Sequence, residues 1–217
     1  EYGEATIPFP IPEEEYDHCL ELLEALEIGS AVNRDCKVQE IQEGPPVLKR
    51  LEGSRVNLDE LDYLAKRLDS FTDQEIAQFQ CAAVSYDYSD IVDLINLTFS
   101  CQEVTVITDF SDLEEIGRNH YMTLNGGSAS MEELDNLDGT ETALLLIESG
   151  DGVVTPYGVV YDNCMRLSQD YDGRHLPEYY YTAPTASVML FAEAHPEQQE
   201  MLYFPLSLIH ISEPTRH

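Results

Sequence analysis

The chain has 217 residues and is 43% hydrophobic, and its 42 acidic residues outnumber its 11 basic ones to give a formal charge of −31. That hydrophobic content argues against a chain that is disordered throughout, and it suits one large domain or two to three small ones. No apolar run approaches the roughly 20 residues that a membrane-spanning helix needs.

The first 55 residues predict a small β-α-β-β unit, an N-terminal α+β domain that we expect to be incomplete at its start. "ATIPFPI" predicts an edge strand, because its prolines cannot donate ladder hydrogen bonds. "PEEEYDHCLELLEAL" predicts a helix, since three glutamates follow Pro12 and apolar residues recur at helical spacing from Tyr16 to Leu26. "CKVQEIQ" and "PVLKRLEG" predict two strands that lie close together.

Residues 56–100 predict a domain of three helices. Asn57 is expected to cap the first helix, and Thr72 and Glu75 form a capping box at the start of the second. The connecting loops are short, so neighbouring helices should pack antiparallel. The three segments are "NLDELDYLAKRLDSF", "TDQEIAQFQCAAVSY" and "YSDIVDLINLTFS".

Residues 101–165 predict an acidic α+β domain. A strand at "QEVTVITDF" precedes a helix over residues 111–121, for which Ser111 and Glu114 would form a capping box. "SMEELDNL" predicts a second helix with the same box at Ser130 and Glu133. "TALLLIES" and "GVVTPYGVVYDN" predict strands, the second folded into a hairpin that turns at residues 156–158.

The C-terminal part consists of an extension, residues 166–205, and a distinct tail, residues 206–217. The extension has strand patterns at "EYYYTA", "SVMLFAEA" and "MLYFP", but its sequence assigns it no role. Every residue from 206 to 216 matches one reading frame of a transposase-type sequencing adapter. We therefore interpret the tail as an artefact, expect it to pack poorly, and exclude it from the functional argument. The whole pattern predicts an α+β fold: an elongated chain of small domains, with mixed strand and helix units flanking a short helical bundle.

The cysteines predict the compartment. They are odd in number, widely spaced and without a C-x-x-C pair, which argues against a disulfide framework or a zinc site. Free thiols suit a reducing environment, so we expect a cytoplasmic protein. The five are Cys19, Cys36, Cys81, Cys101 and Cys164.

Acidic residues stand almost without basic ones over nearly half of the chain. Between Leu68 and Met165 there are 19 acidic residues and a single basic one, Arg118. Helix capping explains part of this, and a pair between Glu114 and Arg118 adds only about 0.3–0.5 kcal/mol. Neither effect explains why basic residues are nearly missing from this range. Like charges at this density oppose compaction, so the missing basic residues need another reason. Duplex DNA carries one charge per roughly 1.7 Å, so the net charge matches that of roughly 50 Å of duplex.

Three interpretations of this charge are open: a catalytic or metal site, a surface adapted to salt, and a mimic of a polyanion. The first has little support, since "DNLDGTE" lacks the spacing of a calcium loop and no common nucleotide-binding, hydrolase or zinc-protease motif is present. His18 and His120 lie near apolar helix positions, where packing is expected rather than ligation. Composition alone does not separate the other two interpretations.

A family resemblance favours the mimic. The segment "ELDYLAKRLDSFTDQEIAQFQ", then "DIVDLINL", "VTVITDFSDLEEIGRNHYM" and "GVVTPYGVVYDN", resembles the antirestriction protein ArdA family over about residues 5–163. The resemblance implies an elongated, acidic α+β protein of three small domains, often dimeric and carried on mobile elements. Such proteins mimic bent B-form DNA and occupy the DNA-binding groove of type I restriction–modification enzymes.

The resemblance also implies which residues act. It predicts no catalytic residue, no metal, no cofactor, no contact with nucleic acid or membrane, a type I restriction–modification enzyme as partner, and a homodimer. The alternative is an acidic module that inhibits or buffers another basic DNA-binding protein, such as a CRISPR nuclease. The surface expected to mimic phosphates consists of Asp87, Asp90, Asp93, Asp109, Asp112, Glu114, Glu115, Glu132, Glu133, Asp135, Asp138 and Glu141.

Overall fold

The computed structural model describes residues 5–28, 33, 36–181, 187–190 and 202–205, the last two ranges by their backbone only. The chain has an α+β fold, as predicted, in which helices prevail over short strands. We number the helices α1–α7 and the strands β1–β7 in chain order.

The N-terminal part holds fewer strands than predicted. Residues 5–11 form no strand; their backbone is instead tied to a helix, since the Ile11 amide donates to Asp62 at 2.7 Å. A 3₁₀ turn, Glu13–Glu15, leads into α1, Tyr16–Ala25, whose Cys19 and Leu23 are buried as the helical spacing predicts. The prediction of an edge strand was wrong, because the Ile11 amide bonds to a side chain of a helix rather than to a neighbouring strand.

The third predicted strand of this region is a helix. Strand β1, Cys36–Lys37, pairs antiparallel with β2, Arg55–Val56, and "PVLKRL" between them forms a 3₁₀ helix, Pro46–Leu51. Val47 and Leu51 of this helix are both buried in the main core. The prediction of a strand there was therefore wrong.

Three helices form the main core. They are α2, Leu58–Asp69, α3, Asp73–Ser85, and α4, Ile91–Leu97. The predicted caps are confirmed: Asn57 pairs reciprocally with Glu60, and Thr72 with Glu75. Phe79 of α3 is fully buried at the centre of this core.

A three-stranded antiparallel sheet lies beside the main core in the order β3-β5-β4. Its strands are β3, Thr105–Ile107, β4, Val153–Thr155, and β5, Gly158–Tyr161, and the predicted hairpin is confirmed. Val160 belongs to the main core, whereas its neighbours in β5 pack against two further helices. These are α5, Leu113–Leu124, and α7, Gly139–Glu148.

Helix α7 corrects the prediction of a strand at "TALLLIES". Asp138 caps the helix by accepting from the Glu141 amide at 2.8 Å. Ala143, Leu146 and Ile147 then face the sheet and α5 at spacings of three and four. A short apolar run fits a buried strand and a helix equally well, and here the cap and the packing select the helix.

The other C-terminal predictions have mixed outcomes. Helix α6, Met131–Asn136, has the predicted box between Ser130 and Glu133. Strands β6, Ser187–Leu190, and β7, Leu202–Pro205, lie inside predicted strands and pair antiparallel. "EYYYTA" is not a strand over residues 178–181, and its last two residues lie outside the described part, as does the tail at 206–217.

Residues 165–181 form a strap across the helices, a role that the sequence did not reveal. Met165 and Tyr171 are buried in the main core. The Asn96 side chain binds both backbone polar groups of Tyr171. It donates to the Tyr171 carbonyl at 2.9 Å and accepts from the Tyr171 amide at 2.8 Å. The Tyr171 hydroxyl donates to the buried Glu60 carboxylate at 2.8 Å. The main core thus continues past residue 165.

Removing the Asn96 amide should loosen this strap. We expect Asn96→Ala to lower the free energy of unfolding by about 1–3 kcal/mol, because two buried backbone groups of Tyr171 lose their partner. Urea unfolding measures the change. The matched control is Asn136→Ala, whose amide donates to the Glu132 carbonyl at an exposed position and should change stability by no more than about 0.5 kcal/mol. Equal effects of the two variants would contradict the clamp.

Candidate acidic interaction surface

Twelve carboxylates define the candidate site, which we call the acidic surface. Ten are exposed, and Asp93 and Glu114 are partly buried. They lie around α4, at the start of α5, on α6 and at the start of α7. The members are Asp87, Asp90, Asp93, Asp109, Asp112, Glu114, Glu115, Glu132, Glu133, Asp135, Asp138 and Glu141.

The start of α5 corrects one predicted cap. The helix begins at Leu113, and Asp112 is its N-cap, accepting from the Glu115 amide at 3.0 Å. Ser111 instead donates to Asp109 through its amide at 2.9 Å and its hydroxyl at 2.8 Å. These two hydrogen bonds hold the pKa of Asp109 below its ordinary value. The predicted box of Ser111 and Glu114 was wrong because an aspartate one position later caps the helix.

Glu114 is engaged inside the domain rather than free at its surface. Its carboxylate accepts from Arg118 Nε at 2.9 Å, which confirms the predicted pair. The other oxygen accepts from the Thr140 amide at 3.1 Å, in the first turn of α7. Glu114 therefore joins the N-terminal end of α7 to α5, in addition to adding charge.

Two glycines allow α5 and α7 to cross at backbone contact. A Cβ atom built on Gly117 would lie 1.8 Å from the Gly139 carbonyl oxygen, and one on Gly139 would lie 2.5 Å from the Glu114 carbonyl oxygen. Real Cβ atoms do not approach other atoms so closely, so the crossing requires glycine at both positions. The crossing fixes the acids of the two helices relative to each other.

Helix α6 adds three exposed acids beside an open cleft. Ser130 donates to Glu133 through its hydroxyl and its amide, which lowers the pKa of that carboxyl. Glu132 and Asp135 lie exposed on the same short helix. The cleft has a volume of about 590 Å³ and runs between Tyr121 and this helix.

The acids around α4 have different environments. Asp87 pairs with Arg50, and Asp90 caps α4 by accepting from the Val92 amide at 2.8 Å. Burial and the neighbouring Asp90 raise the pKa of Asp93 above its ordinary value. This part of the acidic surface is therefore partly neutralised by Arg50, as the part on α5 is by Arg118, whereas residues 119–165 contain no lysine or arginine.

In the part of the chain that the structure describes, the acidic residues do not converge on one point. Within residues 5–28, 33 and 36–181, no group of three or more His, Cys, Asp or Glu side chains could hold a metal ion. His120 is half-buried and hydrogen-bonded to the Thr105 hydroxyl at 2.7 Å, and burial lowers its pKa. His18 is exposed, so the expectation that it packs was wrong. The arrangement offers a dispersed negative surface.

Exposed apolar side chains accompany the acids, which sequence reasoning missed. Of the nine large hydrophobic residues that are exposed in the described part of the chain, seven lie between residues 110 and 154. A signal was present in the four consecutive apolar residues of "LLLI", because one face of a helix cannot bury them all. The seven are Phe110, Leu124, Met131, Leu144, Leu145, Val153 and Val154.

Comparisons of the chain with models of protein families, with curated proteins and with solved structures found no match. The family resemblance therefore rests on the residues quoted above and enters below as a proposal. Among the residues that the structure describes, no helix has both the length and the apolar character needed to cross a membrane. Cys19, Cys81, Cys101 and Cys164 are free thiols.

A methyl group at the helix crossing should force α5 and α7 apart. Alanine favours a helix over glycine by about 1 kcal/mol, so Gly117→Ala would stabilise the protein if space were available. We expect it instead to lower the free energy of unfolding by about 3 kcal/mol, because the clash is with backbone that cannot rotate away. Chemical denaturation gives the sign directly.

The control for this variant is Gly150→Ala. Gly150 has φ +74° and no atom within 4 Å of an added Cβ, so only backbone strain of about 1–2 kcal/mol applies. A Gly117→Ala protein as stable as the wild type would rule out the backbone contact.

The Ser111 hydroxyl should contribute to the lowered pKa of Asp109. We expect Ser111→Ala to raise the pKa of Asp109 part of the way to the ordinary aspartate value, because the amide hydrogen bond remains. The stabilisation from these bonds is fully present above pH about 4 and is lost as the pH falls through the lowered pKa. Carboxyl NMR titration measures the shift. Ser149→Ala, whose hydroxyl donates to a carbonyl rather than to a carboxylate, should leave the Asp109 titration unchanged.

Proposed function

We propose that the protein is a DNA-mimicking antirestriction protein that occupies the DNA-binding groove of a type I restriction–modification enzyme. The observation that carries the proposal is the acidic surface: ten of its twelve carboxylates are exposed, and residues 88–165 contain one basic residue, already paired with Glu114. The resemblance to the ArdA family supplies the class of target.

A dispersed surface of this kind can compete with DNA by electrostatics. An enzyme that binds duplex DNA neutralises phosphates with lysine and arginine, and its affinity falls steeply with salt as a result. Exposed carboxylates offer the same basic groups a negative partner, and they steer association when many act together. Inhibition on this basis needs no catalytic residue, metal or cofactor, so we propose that the protein is not an enzyme.

The capping hydrogen bonds support this mode of binding. Asp112, Glu133 and Asp138 are each held by backbone amides at a helix start. Side chains fixed in this way lose less conformational freedom on binding than free ones. A carboxylate that is already ordered thus contributes more of its electrostatic attraction to affinity.

The remaining parts of the proposal come from the cysteine pattern and from the resemblance. The cysteines place the encounter with the target in the cytoplasm, and the resemblance makes the inhibitor a homodimer that binds neither nucleic acid nor membrane. Each of these statements can be tested separately from inhibition itself.

The decisive experiment neutralises charges singly and together. The combined variant changes Asp109, Asp112 and Asp135 to Asn and Glu115, Glu132 and Glu133 to Gln, because amide side chains can still accept the capping hydrogen bonds. We expect inhibition of the type I enzyme to weaken about tenfold at low salt, since each exposed pair contributes little alone. The salt dependence between about 50 and 200 mM should flatten, and Asp112→Asn alone should be nearly silent.

A matched control removes the same number of charges elsewhere. It carries amides at six exposed acids of the N-terminal region, namely Glu13, Glu14, Asp17, Glu21, Glu24 and Glu27. Equal losses in both variants would show that net charge acts rather than the acidic surface. A single substitution that abolishes inhibition, or a loss of inhibition on adding a chelator, would contradict mimicry. Inhibition of a CRISPR nuclease but not of a type I enzyme would identify the alternative partner.

A further inference from the structure

We propose that the outer face of α7 forms an apolar contact patch for the basic target protein, separate in action from the charges. The patch consists of Leu144 and Leu145. This inference rests on the proposed function, because it assigns a second kind of contact to the same encounter.

The two side chains are unusually exposed for their type. The exposed fractions are 43% for Leu144 and 64% for Leu145. By contrast, no large hydrophobic residue of the described helices α1 to α4 is among the exposed ones. Concentrated apolar exposure on a protein surface marks a binding surface more often than chance, whereas single exposed residues do not.

The packing of α7 explains why these residues remain outside the core. Ala143, Leu146 and Ile147 already fill the face toward the sheet and α5. At 100° per residue, Leu145 falls on the opposite side of the helix and Leu144 on the flank beside it.

Charge indicates which partner covers the patch. Glu141, Glu148 and Asp151 surround it in sequence and are all exposed, and no lysine or arginine occurs from residue 119 to residue 165. A second copy would bring the same acids against these and would be repelled. A basic protein would meet them with opposite charge, so the rim complements a DNA-binding groove rather than another copy of this chain.

The combination is that of an ordinary protein interface, with an apolar centre and a charged rim. It implies two contributions with different responses to salt. Attraction between exposed charges is screened as salt rises, whereas burial of apolar surface is not. The charges therefore set how steeply binding falls with salt, and the patch sets how much binding survives.

The test is the double variant Leu144→Ser/Leu145→Ser, measured for binding to the purified type I enzyme at low and high salt. We expect about tenfold weaker binding at both salt concentrations with an unchanged slope, the effect of losing apolar anchors in an interface. The positions are exposed, so the urea midpoint should match that of the wild type. Leu124→Ser/Met131→Ser, at two comparably exposed positions, is the control and should bind as the wild type does.

The possible results distinguish which partner, if any, covers the patch. The inference is overturned if the double variant binds with unchanged affinity or a changed salt slope, or if the control pair loses as much affinity. In these cases the proposed function still stands, provided that the wild type inhibits the enzyme. A wild type that does not bind the type I enzyme overturns both. Light scattering after gel filtration covers the remaining case: a dimeric wild type that becomes monomeric in the double variant, with unchanged affinity for the enzyme, assigns the patch to a second copy instead.

Discussion

The structure depends on capped helix N-termini. A chain of net charge −31 must place its carboxylates where the local potential is positive, and the first turn of a helix provides such places with unpaired amides and the positive end of the helix dipole. All six helices from α2 to α7 have a side-chain cap, and three of them add a glutamate that returns a hydrogen bond to the cap residue. Capping lets the acids stabilise the helices that display them.

The acidic residues therefore fall into two groups with different structural roles. Two acids of α2 point inward: Glu60 is fully buried and accepts from the Tyr171 hydroxyl, and Asp62 accepts from the Ile11 amide and pairs with Lys66. Such carboxylates join the N-terminal segment and the strap to the helices. Those of α5, α6 and α7 point outward and have few cations nearby. Their repulsion is reduced by solvent and by the caps rather than by salt bridges.

Local signals in the sequence predicted the capped helices well, since a cap and its glutamate occupy fixed positions. They failed where a competing local partner or a distant contact decided the outcome. Asp112 displaced Ser111 as the cap of α5, and packing against α5 turned "TALLLIES" into a helix. The strap was invisible because Asn96 and Tyr171 are 75 residues apart and no periodicity links them. The acids of the surface could be named from the sequence, whereas the exposed apolar residues were missed, although the run "LLLI" signalled those of α7.

The crossing of α5 and α7 has a consequence for selectivity. Because Gly117 and Gly139 hold the two helices at backbone contact, the distance between their carboxylates is set by a position that carries no charge. A larger residue at either glycine would widen the pattern while leaving composition and net charge unchanged. Two chains with the same number of acids could then present different charge spacings, and so favour different basic partners. The spacing of the charges, and not only their number, can therefore vary through these two glycines.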